Sequence, residues 1–324
     1  MKSLLTMRKL TPLDRSPWLT SLRRKMAGWA QHGLAYFGLG LLAVSVGCQR
    51  TASLDLPTPA PELVLNAWLT PGDLWRVSLD RVYPLGAAAG LPLVDGDLRL
   101  IPGGSLAHDS LGEYVSATER VQAGQSYRLT AAHPGYPAVA VDLSVPLPPE
   151  DLRLAYFPAG ATNSDGESEP LVRLFMTDPA PADSQYYAVY SRLVDTVLGG
   201  YTSSVLLTDD LAVAFQPSWT LADDTGRVAF YRPVLFGDEA FTDGTFTLDF
   251  TFLIPAFARD RYQILEVCVA TLPREVFDYM EAYEQQGRLQ QDPFAEPTPI
   301  PGNVQGGAGM VVVYSPAKVI YRLP

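Results

Sequence analysis

A two-residue rhythm limits the folds open to this chain more than any other feature. In LWRVSLDR, Trp75, Val77 and Leu79 alternate with Arg76, Ser78 and Asp80. An extended backbone sends successive side chains to opposite faces, so this is a half-buried antiparallel strand. ELVLNAWLT, GDLRLIP, EYVSAT, QSYRLTAAHPG and YPAVAVDLSVPLP are of similar length, rich in Val, Leu and Tyr, and bounded by Gly, Pro, Asp or Asn. Together they predict an immunoglobulin-like β-sandwich over residues 62–149, ending at the proline-rich junction 146–149.

A second β-rich region is expected over residues 150–324. PLVRLFMTDP, SQYYAVYSRLVDTV, GRVAFYRPVLF, TFTLDFTFLIP and RYQILEVCVATL read as strands, joined by longer polar connections. One segment breaks the pattern. Across residues 273–291, Val276, Phe277, Met280 and Tyr283 recur at helical spacing, with Pro273 at the start and Gly287 near the end. An amphipathic helix lying on the second sheet is predicted there. The glycine turn at 306–309 then leads into MVVVYSPAKVIYRL, one or two closing strands. The fold class is therefore mainly all-β: two sandwich-like domains and one helix.

The amino-terminal stretch follows different rules. Lys2, Arg8, Lys9, Arg15, Arg23, Arg24 and Lys25 precede GLAYFGLGLLAVSVGC, which ends at Cys48. A basic leader and about 14 apolar residues are the n- and h-regions of a secretory signal, shorter than the roughly 20 residues of a membrane span. A cysteine at the end of such a run predicts a lipoprotein signal over residues 1–47, with lipid on Cys48. Gly47 suits that cleavage, while Ser45 stands where an aliphatic residue is usual. An uncleaved anchor extending back to Ala27, and a plain cleaved signal, are the competing readings. Residues 48–61 form a polar, proline-punctuated tether that reaches roughly 40 Å at about 3 Å per residue.

Charge narrows the partners. Seven of the 24 basic residues and one of the 35 acidic residues precede Cys48, leaving 17 and 34 beyond it, with Lys318 the single lysine among them. So acidic a surface repels phosphate backbones and anionic lipid heads, so no nucleic acid partner is expected. Membrane contact is assigned to the lipid alone.

Candidate chemistry is sparse. Cys268 lies among Ile264, Leu265, Val267 and Val269, and its possible bases are His108 and His133, both in turn-like surroundings; a buried structural thiol is expected. Asp95 with Asp97, Asp209 with Asp210, and Asp223 with Asp224 are loop carboxylates without EF-hand spacing, so no metal site is assigned. No G-x-S-x-G elbow is present, and choosing two glycosidase carboxylates among 34 would be arbitrary. Residues 306–309 lack the Lys-Ser/Thr of a phosphate loop. No catalytic residue and no cofactor is assigned. Trp68 is the one candidate ligand contact: it shares a strand face with Asn66 and Thr70, opposite Leu65, Ala67 and Leu69. An indole there stacks on a sugar or fills a partner's pocket if exposed; the competing reading is that packing between the domains covers it.

DLPTPAPELVLNAWLT after the cysteine, LFGDEAFTDGTFTLDF, and VFDYMEAYEQQ followed by DPFAEPTPIPGNVQGGAGMVVVYS occur in this order. They resemble a Bacteroidota lipoprotein family catalogued as a domain of unknown function, across nearly the whole chain after Cys48. The resemblance implies a gene neighbour encoding a TonB-dependent outer-membrane receptor, and a role in helping it capture or import something. It carries over no catalytic or ligand residue. The expectation is a non-enzymatic, lipid-anchored outer-membrane accessory protein; a stand-alone surface glycan- or peptide-binding lipoprotein is the alternative.

Overall fold

The computed structural model describes residues 60–324 apart from 85–89, 91–92, 110–111, 163–164, 181–183, 198, 212, 215, 217–219, 223–227, 253–260, 290–295 and 297. Residues Thr58–Pro324 form one compact unit. The described part is mostly β, with one α-helix, as the strand-length rhythm predicts.

The first seven strands are β1 (Leu63–Leu69), β2 (Leu74–Arg81), β3 (Asp97–Ile101), β4 (Ser105–His108), β5 (Glu113–Arg120), β6 (Ser126–Ala132) and β7 (Val139–Ser144). With β18 (Val311–Val313) they form one sheet in the order β18-β1-β2-β5-β4-β3-β6-β7. Alternation holds: Trp75, Val77 and Leu79 are all fully buried, while Arg76 and Ser78 are half-exposed. Their side chains share a core with Leu65, Tyr127, Leu129 and Val141. Trp75 meets the Tyr127 ring edge-on at 4.8 Å. Arg76 lies on the outer face and reaches Asp109 at 2.7 Å and Glu113 at 2.5 Å.

A second sandwich follows. β8 (Glu150–Thr162), β9 (Ser168–Thr177), β12 (Leu206–Leu207) and β16 (Thr245–Phe252) make one sheet, ordered β12-β16-β9-β8. The other is β11-β10-β17-β19, from β10 (Tyr186–Asp195), β11 (Tyr201–Ser204), β17 (Tyr262–Leu272) and β19 (Ser315–Arg322), with β15 (Val234–Gly237) also paired to β10. β13 (Thr220–Ala222) and β14 (Val228–Tyr231) are a small separate hairpin. Leu174, Val189, Phe236, Phe246, Leu248 and Val267 fill the space between the two sheets. Lys318 and Pro316 sit on the edge strand β19, residue types that discourage further strand pairing.

The helix α1 spans Arg274–Leu289. Pro273 precedes it and its carbonyl accepts the Val276 and Phe277 N–H groups at 3.1 and 3.3 Å. Glu275 in the first turn and Arg288 in the last complement the helix dipole. Val276, Phe277 and Met280 face inward as the spacing predicts. Tyr283 does not: it is 41% exposed, beside the Tyr279 ring at 6.2 Å. Successive helical residues turn about 100°, and Tyr283 lies at the margin of the apolar stripe where the sheet no longer covers it.

The carboxy-terminal strands do more than close the second region. Residues 308–314 run parallel to β1, with Ala308, Met310 and Tyr314 bonded to Leu63, Leu65, Ala67 and Leu69. The chain then continues directly into β19 of the other sandwich, and the Ser315 hydroxyl donates to the Pro146 carbonyl at 2.5 Å. Gly307 and Gly309 make the approach to β1 possible, since a Cβ would lie 2.5 Å from the Leu63 oxygen and 2.1 Å from that of Leu65.

Candidate functional site

Where these elements meet, a cleft of about 480 Å3 opens. Its walls come from five separate stretches: the end of β3 (Ile101), the facing ends of β6 (Ser126 to Arg128) and β7 (Asp142 to Ser144), the start of α1 (Pro273, Glu275, Val276) and the terminal segment (Asn303, Val311, Val313). Arg128 and Asp142 are register partners on neighbouring strands, and the guanidinium meets both carboxylate oxygens at 2.7 and 2.8 Å. Gln305 adds a donor to Asp142 at 3.2 Å. Asn303 forms the floor: its amide donates to the Val311 carbonyl at 2.8 Å and its oxygen accepts the Val311 N–H at 2.9 Å. Val276, Val311 and Val313 supply apolar wall, so the recess can hold a chain of mixed polarity.

A second polar cluster lies on the outer face of β10 and β17, where the helix cover ends. The Arg192 guanidinium sits 5.5 Å from the Tyr190 ring centre and 5.0 Å from that of Tyr201. It pairs with Glu266 at 3.6 Å, and Lys318 reaches the same carboxylate at 3.1 Å. Cys268 is buried beside them, 3.6 Å from Arg192 and 3.5 Å from Glu266. Burial pushes its thiol above the ordinary value, more than the Arg192 charge pulls it back, so the sulfur is held as a protonated packing group.

The residues singled out from sequence fall in different places. Cys48, Asp223 and Asp224 lie outside the described residues. Trp68 is half-buried against the cluster of Tyr190, Phe277, Val312 and Tyr314, with the Tyr314 ring edge-on at 6.4 Å. Packing between the sandwiches therefore covers part of the face on which it stands. His108 lies 5.3 Å from the Tyr114 ring, and His133 is at an exposed turn beside the Pro134 carbonyl. Asp97 is held by Arg99 at 2.9 Å. Among the described residues no three His, Cys, Asp or Glu side chains converge as a metal site, and no helix is long and apolar enough to cross a membrane.

None of the cleft residues was singled out from sequence as a site residue; Pro273 and Val276 were read only as parts of the helix. Arg128 and Asp142 fall in segments read as strands, but the gap beside them depends on segments about 130 and 170 residues further along the chain.

Fold and cleft together define a two-sandwich, mostly β protein whose recess is built jointly by the first sandwich, the helix and the carboxy-terminal segment. Residues 50–319 match the family model described as a domain of unknown function, DUF4249, and the chain belongs to that family. Searches of curated proteins and of solved structures returned no match.

Proposed function

We propose that this is a non-enzymatic accessory protein of the outer membrane, held by lipid on Cys48 and acting beside a TonB-dependent transporter in nutrient capture or import. The observation that carries the reading is directional. β1 begins at Leu63 beside Arg81, at one end of the first sandwich, while Ile101, Ser126 and Ser144 bring the cleft to the other end. The described chain therefore enters the first sandwich at the end away from the cleft. The basic leader and Cys48 supply the export and anchoring signal. Two lipid-borne chains hold far more firmly than one, at about 0.8 kcal/mol per buried methylene.

Tagged protein recovered from gently solubilised outer membranes tests the partnership. A barrel receptor in near-equal amount is expected, and recovery with no barrel protein overturns it. Mass spectrometry of the same sample is expected to find acylated Cys48 as the first residue.

The second reading is a stand-alone surface glycan- or peptide-binding lipoprotein, and of the two ligands the cleft favours the peptide. That reading expects ligand retention by the fragment from Thr51 onward with no receptor present.

For the first sandwich we retain the immunoglobulin-like assignment. Two features support it: β1-β2-β5-β4 and β3-β6-β7 reproduce the two faces of a constant-type domain, and the Tyr127 hydroxyl near the start of β6 donates back to the Arg120 carbonyl at 3.3 Å.

A further inference from the structure

The sheet of the first sandwich has two end strands, β7 and β18, and both line the same cleft. Ala140 exchanges two backbone bonds with Gln305, at 2.7 and 3.1 Å, so its N–H and C=O point away from β6. Alternation along an antiparallel strand turns those of Asp142 and Ser144 the same way. On the facing wall, Met310 and Tyr314 bond to Ala67 and Leu69 of β1, which turns the backbone groups of Val311 and Val313 outward. The Asn303 side chain takes up those of Val311. The groups of Asp142, Ser144 and Val313 are left facing the recess.

Natural sheets usually blunt such edges with proline or lysine, as Pro316 and Lys318 do on β19. Residues 142–144 carry neither. The recess is poorly made for a sugar, since its one aromatic, Tyr127, is 6% exposed and engaged with Trp75. What it offers is donors and acceptors at strand spacing, flanked by apolar wall and by the exposed carboxylate of Glu275.

We propose that the cleft binds an extended polypeptide segment of a partner, laid along residues 142–144 as an added strand, with an apolar side chain toward Val276 and Val313 and a basic one toward Glu275. This is β-augmentation: backbone bonds supply affinity and alternate side chains supply selectivity. The assignment does not depend on the lipid anchor, because the fragment from Thr51 onward contains the whole compact unit Thr58–Pro324.

That fragment is titrated with acetylated, amidated hexapeptides alternating Val or Ile with Lys, followed by fluorescence anisotropy and by amide exchange. Binding is expected to slow exchange of the Asp142 and Ser144 amides at least tenfold, and N-methylation of alternate peptide amides is expected to weaken binding at least tenfold. Ser144→Pro removes one outward N–H and no bond to β6, so it is expected to weaken binding at least tenfold at an unchanged melting temperature. Glu275→Lys, on the helix surface, is the second variant; it is expected to weaken the Lys peptides and strengthen those carrying Glu instead. Failure of the pool to bind, equal binding of N-methylated peptides, or protection that bypasses residues 142–144 overturns the proposal. So does retention of a soluble glucan panel in its place.

Discussion

The two sandwiches bury their strands differently. In β2, buried and half-exposed positions alternate along nearly the whole strand, because one face meets the core and the other meets water. In β10, five consecutive residues from Tyr187 to Ser191 are buried, and β17 ends in a buried run from Val267 to Leu272. Those stretches have cover on both faces: the second core on one side, and α1, Met310, Val312 and Tyr314 on the other. Further along the same strands the cover stops, and alternation returns at Arg192 to Val194 and at Ile264 to Glu266. Strand periodicity therefore reports which faces meet water, and the change of pattern within β10 marks where the helix ends its protection.

The most severe way to break this comparison is to detach the segment that joins the two regions. Gly309→Val places a Cβ 2.1 Å from the Leu65 oxygen, at a φ of +106° that side chains rarely adopt. A loss of at least about 4 kcal/mol is expected in urea unfolding, at the upper end of single-residue effects. Gly287→Ala is its control: beyond the helix's own backbone nothing lies within 4 Å of the added Cβ, and a helix interior favours alanine by up to about 1 kcal/mol.

Core truncations come next. Trp75→Ala, fully buried in the first sandwich, is expected to cost about 3–5 kcal/mol. Met280→Ala, fully buried under the helix, is expected to cost about 2–5 kcal/mol and to speed labelling of Cys268, which shares its cluster. Unchanged labelling would argue against the helix as the lid over that face.

A pH titration sharpens the contrast further. Burial, first among the causes, raises the Cys268 thiol from 9.0 and the Tyr187 and Tyr190 phenols from 10.0. Each group stays protonated in the folded chain over a window in which the unfolded chain has lost the proton. Its contribution is whole below the unfolded value and declines as pH rises toward the folded one. The urea midpoint is expected to fall from pH 9 upward, and Cys268→Ala to make the first part of that fall shallower. The smallest effect is expected on the outer face of the first sandwich. Arg99→Ala breaks an exposed pair with Asp97, and a change under about 0.5 kcal/mol is expected by the same measurement.

Much of the fold was legible one strand at a time. Trp75, Val77 and Leu79 took the phase their spacing predicts, and a helix with Val276, Phe277 and Met280 inward formed within residues 273–291. Trp68 teaches the opposite lesson. Its neighbours place it on the outer face of β1, yet Val312 and Tyr314 come from more than 240 residues away to cover part of that face. The glycines at 307 and 309 read as a tight turn. In the structure Gly306 has a φ of +79° at that turn, while Gly307 and Gly309 let the backbone lie against β1. No local pattern distinguishes a glycine that bends the chain from one that admits a neighbouring strand.

The sequence by itself determined the β-rich class, the faces of the singly covered strands and the position of the helix, because each depends on residues within a few positions of one another; it missed β4 and β8 and read β14 and β15 as one strand. Tertiary structure alone decided that residues 308–314 return to β1, that Trp68 is partly covered, and that two sheet edges share one cleft. Those outcomes rest on backbone hydrogen bonds between distant segments, and a backbone amide is the same group whichever side chain it carries.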